Sequence, residues 1–144
     1  MAFPPDFLQD ISASATLLYS IIAASVLIYV PFGVVGYGRM QAGYDTHSPR
    51  AMFDKLPAYA QRATWAHQNA FESFAIYAAA ALMAYVTGVE SIWALAAAIA
   101  YVVARSLYPL FYILDIPLLR SLMFGVGSLS IGTLFVLSLL QLGI

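Results

Sequence analysis

Three polar side chains at helical spacing form the first group in this chain that could do chemistry. Arg62, Asn69 and Glu72 are separated by seven and three residues, so on a helix they lie along one stripe. A guanidinium, an amide and a carboxylate on one stripe can bind the carboxylates and the amine of a small peptide-like ligand.

A second group contains a cation followed by two phenols. Arg105, Tyr108 and Tyr112 are separated by three and four residues, which again places them on one face of a helix. Arg120 follows after a short turn. If the two groups converge, they favour a site for a small polyanionic ligand.

The composition defines the medium in which these residues must be positioned. The 144 residues are 62% hydrophobic and only 9% charged, with a mean hydropathy of +0.84. Globular domains carry about 25% charged residues, so a soluble domain and a disordered chain are both excluded. A net charge of -1 provides no basic stripe for a nucleic acid. The predicted partner is the lipid bilayer, and because the chain has no cysteine, a reactive thiol would have to come from a substrate.

Four largely apolar stretches are long enough to cross a bilayer, which takes roughly 20 residues. One long loop and two short links connect them, which predicts an all-α integral membrane protein: a single four-helix domain over residues 1–144. The predicted helices cover about 14–35, 61–87, 91–112 and 118–142, and the long loop covers about 37–60.

The basic residues predict how the bundle is oriented. All six Lys and Arg residues fall on one side of the predicted membrane, and cytoplasmic flanks are enriched in such residues. The long loop is therefore expected in the cytoplasm, with the N- and C-termini outside, in the periplasm or a lumen.

The buried polar residues allow two interpretations. A charge near the bilayer centre costs about 2.5 to 3.5 kcal/mol, so it faces the bundle and usually has a partner. Asn69 could simply bond across a helix interface, and Glu72 could neutralise Arg105 or an arginine across a subunit interface. The alternative is the ligand site described above. Neither His47 nor His67 has a carboxylate or cysteine at metal-ligand spacing, so no metal site is expected.

Two motifs resemble one known family, the membrane-associated proteins in eicosanoid and glutathione metabolism (MAPEG). This family includes microsomal glutathione transferases, leukotriene C4 synthase and microsomal prostaglandin E synthase. The second predicted helix carries Ala66-His67-Gln68-Asn69-Ala70-Phe71-Glu72, similar to the family's Ala-His-x-Asn-x-x-Glu. The third helix and the turn carry Arg105-x-x-Tyr108-x-x-x-Tyr112 followed by Arg120-Ser121, similar to the family's Arg-x-x-Tyr/His-x-x-x-Tyr and catalytic Arg.

The resemblance implies a homotrimer that binds glutathione as cosubstrate between neighbouring subunits, near the cytoplasmic end. Arg120 matches the catalytic residue that stabilises the thiolate. The implied glutathione-binding residues are Asn69, Glu72, Arg105, Tyr108, Tyr112, His67, Arg62 and Arg39.

The implied function is that of a glutathione transferase, or a related isomerase or peroxidase, acting on a lipophilic electrophile or lipid-derived substrate. One position departs from the family: Trp65 stands where glutathione-using members have an arginine before the Ala-His pair. A catalytically inactive structural or interaction subunit of the same fold is therefore the alternative, and a small channel or transporter is a third.

Overall fold

The computed structural model describes residues 12–143, and within them the chain is helical without strands. A short 3-10 helix, Pro49–Lys55, lies between the second and third of five α-helices. The helices are α1 (Ala13–Leu27), α2 (Val30–Gln41), α3 (Ala58–Val86), α4 (Ile92–Ile113) and α5 (Pro117–Gln141).

Four stretches of the described chain are long and apolar enough to cross a membrane. They are Ala13–Gln41, which joins α1 and α2, and the three later helices α3, α4 and α5. The prediction of an all-α, four-helix membrane protein is confirmed. Large apolar side chains cover the outside of the bundle, for example Tyr19 at 71% exposure and Leu129 at 73%, as expected of surfaces that meet lipid.

The first membrane span is broken between α1 and α2 at Ile28 and Tyr29. Pro31 explains the break, because proline has no N–H to donate and its ring clashes with the carbonyl four residues earlier. At this break the carbonyl of Ile28 accepts a hydrogen bond from Nδ1 of His67 at 2.8 Å. A side chain of α3 therefore bonds to the backbone where the first span is broken.

The prediction that the first helix ends at about 35 and that a loop covers 37–60 was wrong in extent. The span continues to Gln41, α3 already begins at Ala58, and part of the connection is the 3-10 helix. Gly38 falls within the predicted loop, but it is helical and buried against α3, where a Cβ would overlap that of Ala60. Its small size serves close helix packing, as is common between membrane helices.

The core of the bundle lies between α1, α3, α4 and α5. Alanines from α3 and α4 are buried there, and their size lets the helices approach closely. The rings of Tyr77 and Tyr101 stack in parallel with centroids 3.6 Å apart. Each phenol has a hydroxyl partner, with Ser20 2.5 Å from Tyr77 and Ser73 3.0 Å from Tyr101. The polar atoms buried with this pair are thus satisfied.

Polar contacts fasten both ends of the bundle. At the end where α4 meets α5, Arg62 donates from Nε to the carbonyl of Ile113 at 3.0 Å and lies 3.9 Å from the carboxylate of Asp115. At the opposite end, the carboxylate of Glu90 accepts hydrogen bonds from the hydroxyl of Ser14 and from the backbone N–H of Ala13. The two contacts tie α3 to the α4–α5 turn and α1 to the α3–α4 turn.

We expect Gly38→Ala to destabilise the protein by about 1 to 3 kcal/mol, because the added methyl group has no room against Ala60. The matched control is Gly36→Ala on the same helix, where no atom lies within 4 Å of the added Cβ. The free energy of unfolding, measured in mixed micelles, should fall for the first variant and stay level or rise for the second. Equal stability of the two variants would contradict the close crossing of α2 and α3.

Glu90 gives a prediction for pH. The hydrogen bond from Ser14, together with that from Ala13, lowers the pKa of Glu90 below its ordinary value of 4.5. Because the pKa is lower in the folded state, the stabilisation is present above about 4.5 and is lost as the pH falls further. Glu90→Gln should therefore melt lower than wild type at pH 7, and the gap should close at pH 3. Asp54→Asn, an exposed carboxylate, serves as control, and a gap that does not change with pH would refute this role.

Candidate functional site

A groove opens between α3 and α4 on one side of the bundle. It has a volume of about 420 Å³. We call it the α3–α4 groove; it is lined by Trp65, Gln68, Asn69, Glu72, Tyr108 and Tyr112. The α3 residues recur at intervals of three and four and the two tyrosines are four apart, so each helix presents one polar stripe to the groove.

Arg105 lies behind the groove and holds one of its walls in place. Its side chain is 5% exposed, and Nη2 donates to Oδ1 of Asn69 at 3.0 Å. The guanidinium carbon also lies 4.5 Å from the centroid of the Tyr108 ring. Because a guanidinium only donates, the Asn69 oxygen must face Arg105, which leaves the Asn69 amide N–H groups free for a ligand. Arg105 therefore positions groove residues rather than lining the groove.

Arg120 brings a second cation to the groove from the first turn of α5. Its guanidinium carbon lies 4.6 Å from the centroid of Tyr112, and the rings of Tyr112 and Tyr108 meet edge to face at 5.6 Å. The four residues form a row in which the two phenols lie between the two cations. Within residues 12–143, no carboxylate lies within 4.0 Å of Arg120, so its charge is not neutralised by an ion pair.

Glu72 does not pair with Arg105 in its own subunit, and that part of the sequence interpretation was wrong. The carboxylate is exposed in the groove, and no basic group in the described part of the chain lies within 4.0 Å of it. The physical reason is that Asn69 and Tyr108 already surround the Arg105 guanidinium. Glu72 is therefore the negative charge of the groove, and a pairing across a subunit interface stays a prediction.

His67 and Arg62 are not brought to the groove. His67 lies two residues from both Trp65 and Asn69, about 200° around α3 at 100° per residue, and so faces the opposite side. There it bonds to Ile28 and packs among the rings of Tyr29, Phe32 and Phe71. Arg62 is bound to the α4–α5 turn.

Arg39 lies in a second cavity, also of about 420 Å³, which the end of α2, the 3-10 helix and α3 enclose. We call it the Arg39–Arg50 cavity. Its lining residues are Arg39, Pro49, Arg50, Phe53, Leu56, Thr64 and Gln68. Gln68 belongs to both cavities. Arg39 is thus a neighbour of the α3–α4 groove but not part of its lining.

Trp65 forms an aromatic wall of the groove. Its side chain is 43% exposed, and its ring lies 5.5 Å from that of Phe53 and 6.5 Å from that of Tyr112, centroid to centroid. Sequence reasoning did not include Gln68 as a site residue. The signal was present, since Gln68 lies three residues after Trp65 and four before Glu72 on the same stripe.

The arrangement suits an organic ligand with several ionic groups. The groove offers an amide donor, two phenols, one carboxylate and the nearby guanidinium of Arg120. Among residues 12–143, no three His, Cys, Asp or Glu side chains come together as metal ligands would.

Comparison with known proteins bears on the whole bundle. The model of the MAPEG family matches residues 16–140, a range that includes every residue of the groove. The searches of curated proteins and of solved structures gave no match. Because the matched range covers most of the chain, the protein belongs to the MAPEG family.

Proposed function

We propose that this protein binds glutathione in the α3–α4 groove and joins it, through its sulfur, to a lipophilic electrophile or lipid-derived substrate. One observation carries the proposal. Groups of opposite charge and two phenols line or border one groove, in a chain whose family acts in glutathione metabolism.

The groove residues offer complementary groups for a tripeptide. The Glu72 carboxylate can accept hydrogen bonds from the ligand's ammonium group. The amide of Asn69, oriented by Arg105, can donate to a carboxylate, as can the hydroxyls of Tyr108 and Tyr112.

Arg120 is the proposed catalytic residue. A free thiol has a pKa near ~8.5 and is mostly protonated at neutral pH, whereas a nearby guanidinium favours the thiolate. Arg120 lies beside Tyr112 at the edge of the groove, and no carboxylate in the described chain pairs with it. The thiol proton leaves to water. The thiolate sulfur then gives its electron pair to an electrophilic carbon of a substrate that has diffused in from the lipid, and the bond broken at that carbon leaves its electron pair on the departing group, or on an oxygen or carbon that takes up a proton from water.

The exposed Glu72 supports a trimeric assembly. A carboxylate on a membrane-spanning helix is costly unless it is paired or reaches water, and its own subunit provides no basic group within 4.0 Å among residues 12–143. A neighbouring subunit could supply that partner and close the open side of the groove. We therefore propose a homotrimer with α3 nearest the threefold axis.

The basic segments support an orientation for the assembly. Arg39, Arg50 and Lys55 lie at or after the end of α2, and Arg62 and Arg120 lie within the first five residues of α3 and α5. By the positive-inside rule this end of the bundle faces the cytoplasm, and the Glu90 turn faces the outside. Glutathione would then enter from the cytoplasm.

Trp65 favours the second candidate function, a non-catalytic structural or interaction subunit. Its indole stands between Phe53 and Tyr112 and provides no cation for a carboxylate. In that case the groove would keep its shape without binding glutathione tightly. The two candidates differ in whether a thiolate forms in the groove.

Arg120→Ala should lower turnover by roughly a hundredfold, which corresponds to a loss of about 3 kcal/mol of stabilisation in the reacting state. Glutathione affinity should fall less, because Arg120 acts on the sulfur rather than on the carboxylates. The ultraviolet absorbance of the thiolate should form when wild type is mixed with glutathione and be absent in Arg120→Ala. Lys55→Ala, an exposed cation at the same end of the bundle, is the matched control and should retain the signal.

The same absorbance decides between the two candidate functions. A wild-type protein that gives no thiolate signal at saturating glutathione would refute the transferase proposal. If Trp65→Arg then gains the signal, the indole is the cause and the groove is a decayed glutathione site.

The proposed assembly is tested by mass. We expect three copies per particle as the dominant species when the protein in detergent or in nanodiscs is measured by native mass spectrometry. Glu72→Ala should shift the population toward smaller species, because it removes one side of the inferred contact between subunits. A wild-type protein that is mainly monomeric would refute the trimer.

A further inference from the structure

The Arg39–Arg50 cavity carries positive charge that the protein does not neutralise. Its lining contains two guanidinium groups and no carboxylate. Within residues 12–143, no acidic group lies within 4.0 Å of either arginine. Asp45 lies in the same connection between α2 and α3. Its carboxylate accepts hydrogen bonds from the backbone N–H of His47 at 2.9 Å and of Ser48 at 3.3 Å, within its own loop.

Arg39 has an unmet hydrogen bond inside the protein. Its Nε is shielded from solvent and has no hydrogen-bond partner in the described part of the chain. The guanidinium carbon lies 5.7 Å from the ring centroid of Phe32, whose face attracts a cation but does not replace a hydrogen-bond acceptor. Because a buried donor without an acceptor is costly, this atom favours the binding of an anionic or carbonyl group beside it.

The rest of the lining defines the chemical class of that ligand. Phe53, Leu56 and Pro49 provide apolar walls, while the amide of Gln68 provides further donors. The hydroxyl of Thr64 already donates to the carbonyl of Ala60 at 2.9 Å. A ligand that fits therefore has an anionic head with several oxygens and an apolar part beside it.

The position of the cavity adds a third observation. It lies where the first candidate span ends at Gln41 and the second begins at Ala58, which is the depth of lipid headgroups. Guanidinium groups bind phosphate oxygens in two-pronged geometry. We propose that the Arg39–Arg50 cavity is a binding site for the phosphate group of an anionic amphiphile, with Arg39 and Arg50 as the two ligating cations.

Within one subunit the Arg39–Arg50 cavity is distinct from the α3–α4 groove. Among residues 12–143, Gln68 is the one residue that lines both cavities, and Arg120 lines neither. The proposal therefore stands or falls without a thiolate in the α3–α4 groove. The same phosphate chemistry could come from a phospholipid headgroup or from free phosphate in the cytoplasm.

The test is a lipid titration of the full chain in detergent, followed by native mass spectrometry. Phosphatidylglycerol should bind at least about tenfold more tightly than phosphatidylcholine with the same acyl chains. Arg50→Gln and Arg39→Gln should each weaken phosphatidylglycerol binding by about tenfold or more, since each removes a charged fork. Lys55→Gln removes one positive charge from the same 3-10 helix but outside the cavity, and it should bind like wild type.

Inorganic phosphate is titrated in parallel, with the melting temperature as the measurement. A rise in wild type that is absent in Arg50→Gln, without selective lipid binding, would support the site and assign it to phosphate from solution. Equal binding of the two lipids together with no effect of phosphate would overturn the proposal. The proposal is also overturned if Lys55→Gln loses as much affinity for phosphatidylglycerol as Arg50→Gln, because the binding would then depend on general surface charge.

Discussion

The burial of Arg105 in an apolar bundle is the constraint on which the site depends. A buried guanidinium needs a hydrogen-bond acceptor and a neighbour that stabilises its charge. Asn69 of α3 supplies the acceptor, and the ring of Tyr108 of α4 stabilises the charge. Meeting that need fixes the amide of Asn69 and aligns α3 with α4. The groove between these helices is therefore a consequence of how the buried charge is satisfied.

The same rule explains other polar contacts in the bundle. The carbonyl of Ile28, at the break between α1 and α2, is bonded by His67, and the buried phenols of Tyr77 and Tyr101 each bond to a serine. In the hydrocarbon layer no water is available to hydrogen-bond a polar group, so the partners of these groups must come from neighbouring helices. Arg39 Nε departs from the rule, which is why it is informative about a ligand.

Periodicity and hydropathy were sufficient to predict the four helices and most residues of the groove. The stripes of Asn69 with Glu72 and of Tyr108 with Tyr112 follow from intervals of three and four. The family motif placed His67 and Asn69 in one site. A separation of two residues already puts these two side chains on opposite faces of a helix, and the structure has them so. Helix ends were also hard to predict, because Gly38 is equally compatible with a turn and with close packing until its neighbour Ala60 is known.

Trp65 lies between the two cavities, at the position where the family motif has an arginine. Its ring contacts Phe53 of one cavity and Tyr112 of the other, and Gln68, one turn along α3, lines both. An arginine at position 65 would add a third cation near the pair formed by Arg39 and Arg50, whereas the indole separates that pair from Arg120 by an uncharged wall. The indole thus brings no positive charge to the groove, and the two cavities share an uncharged aromatic wall.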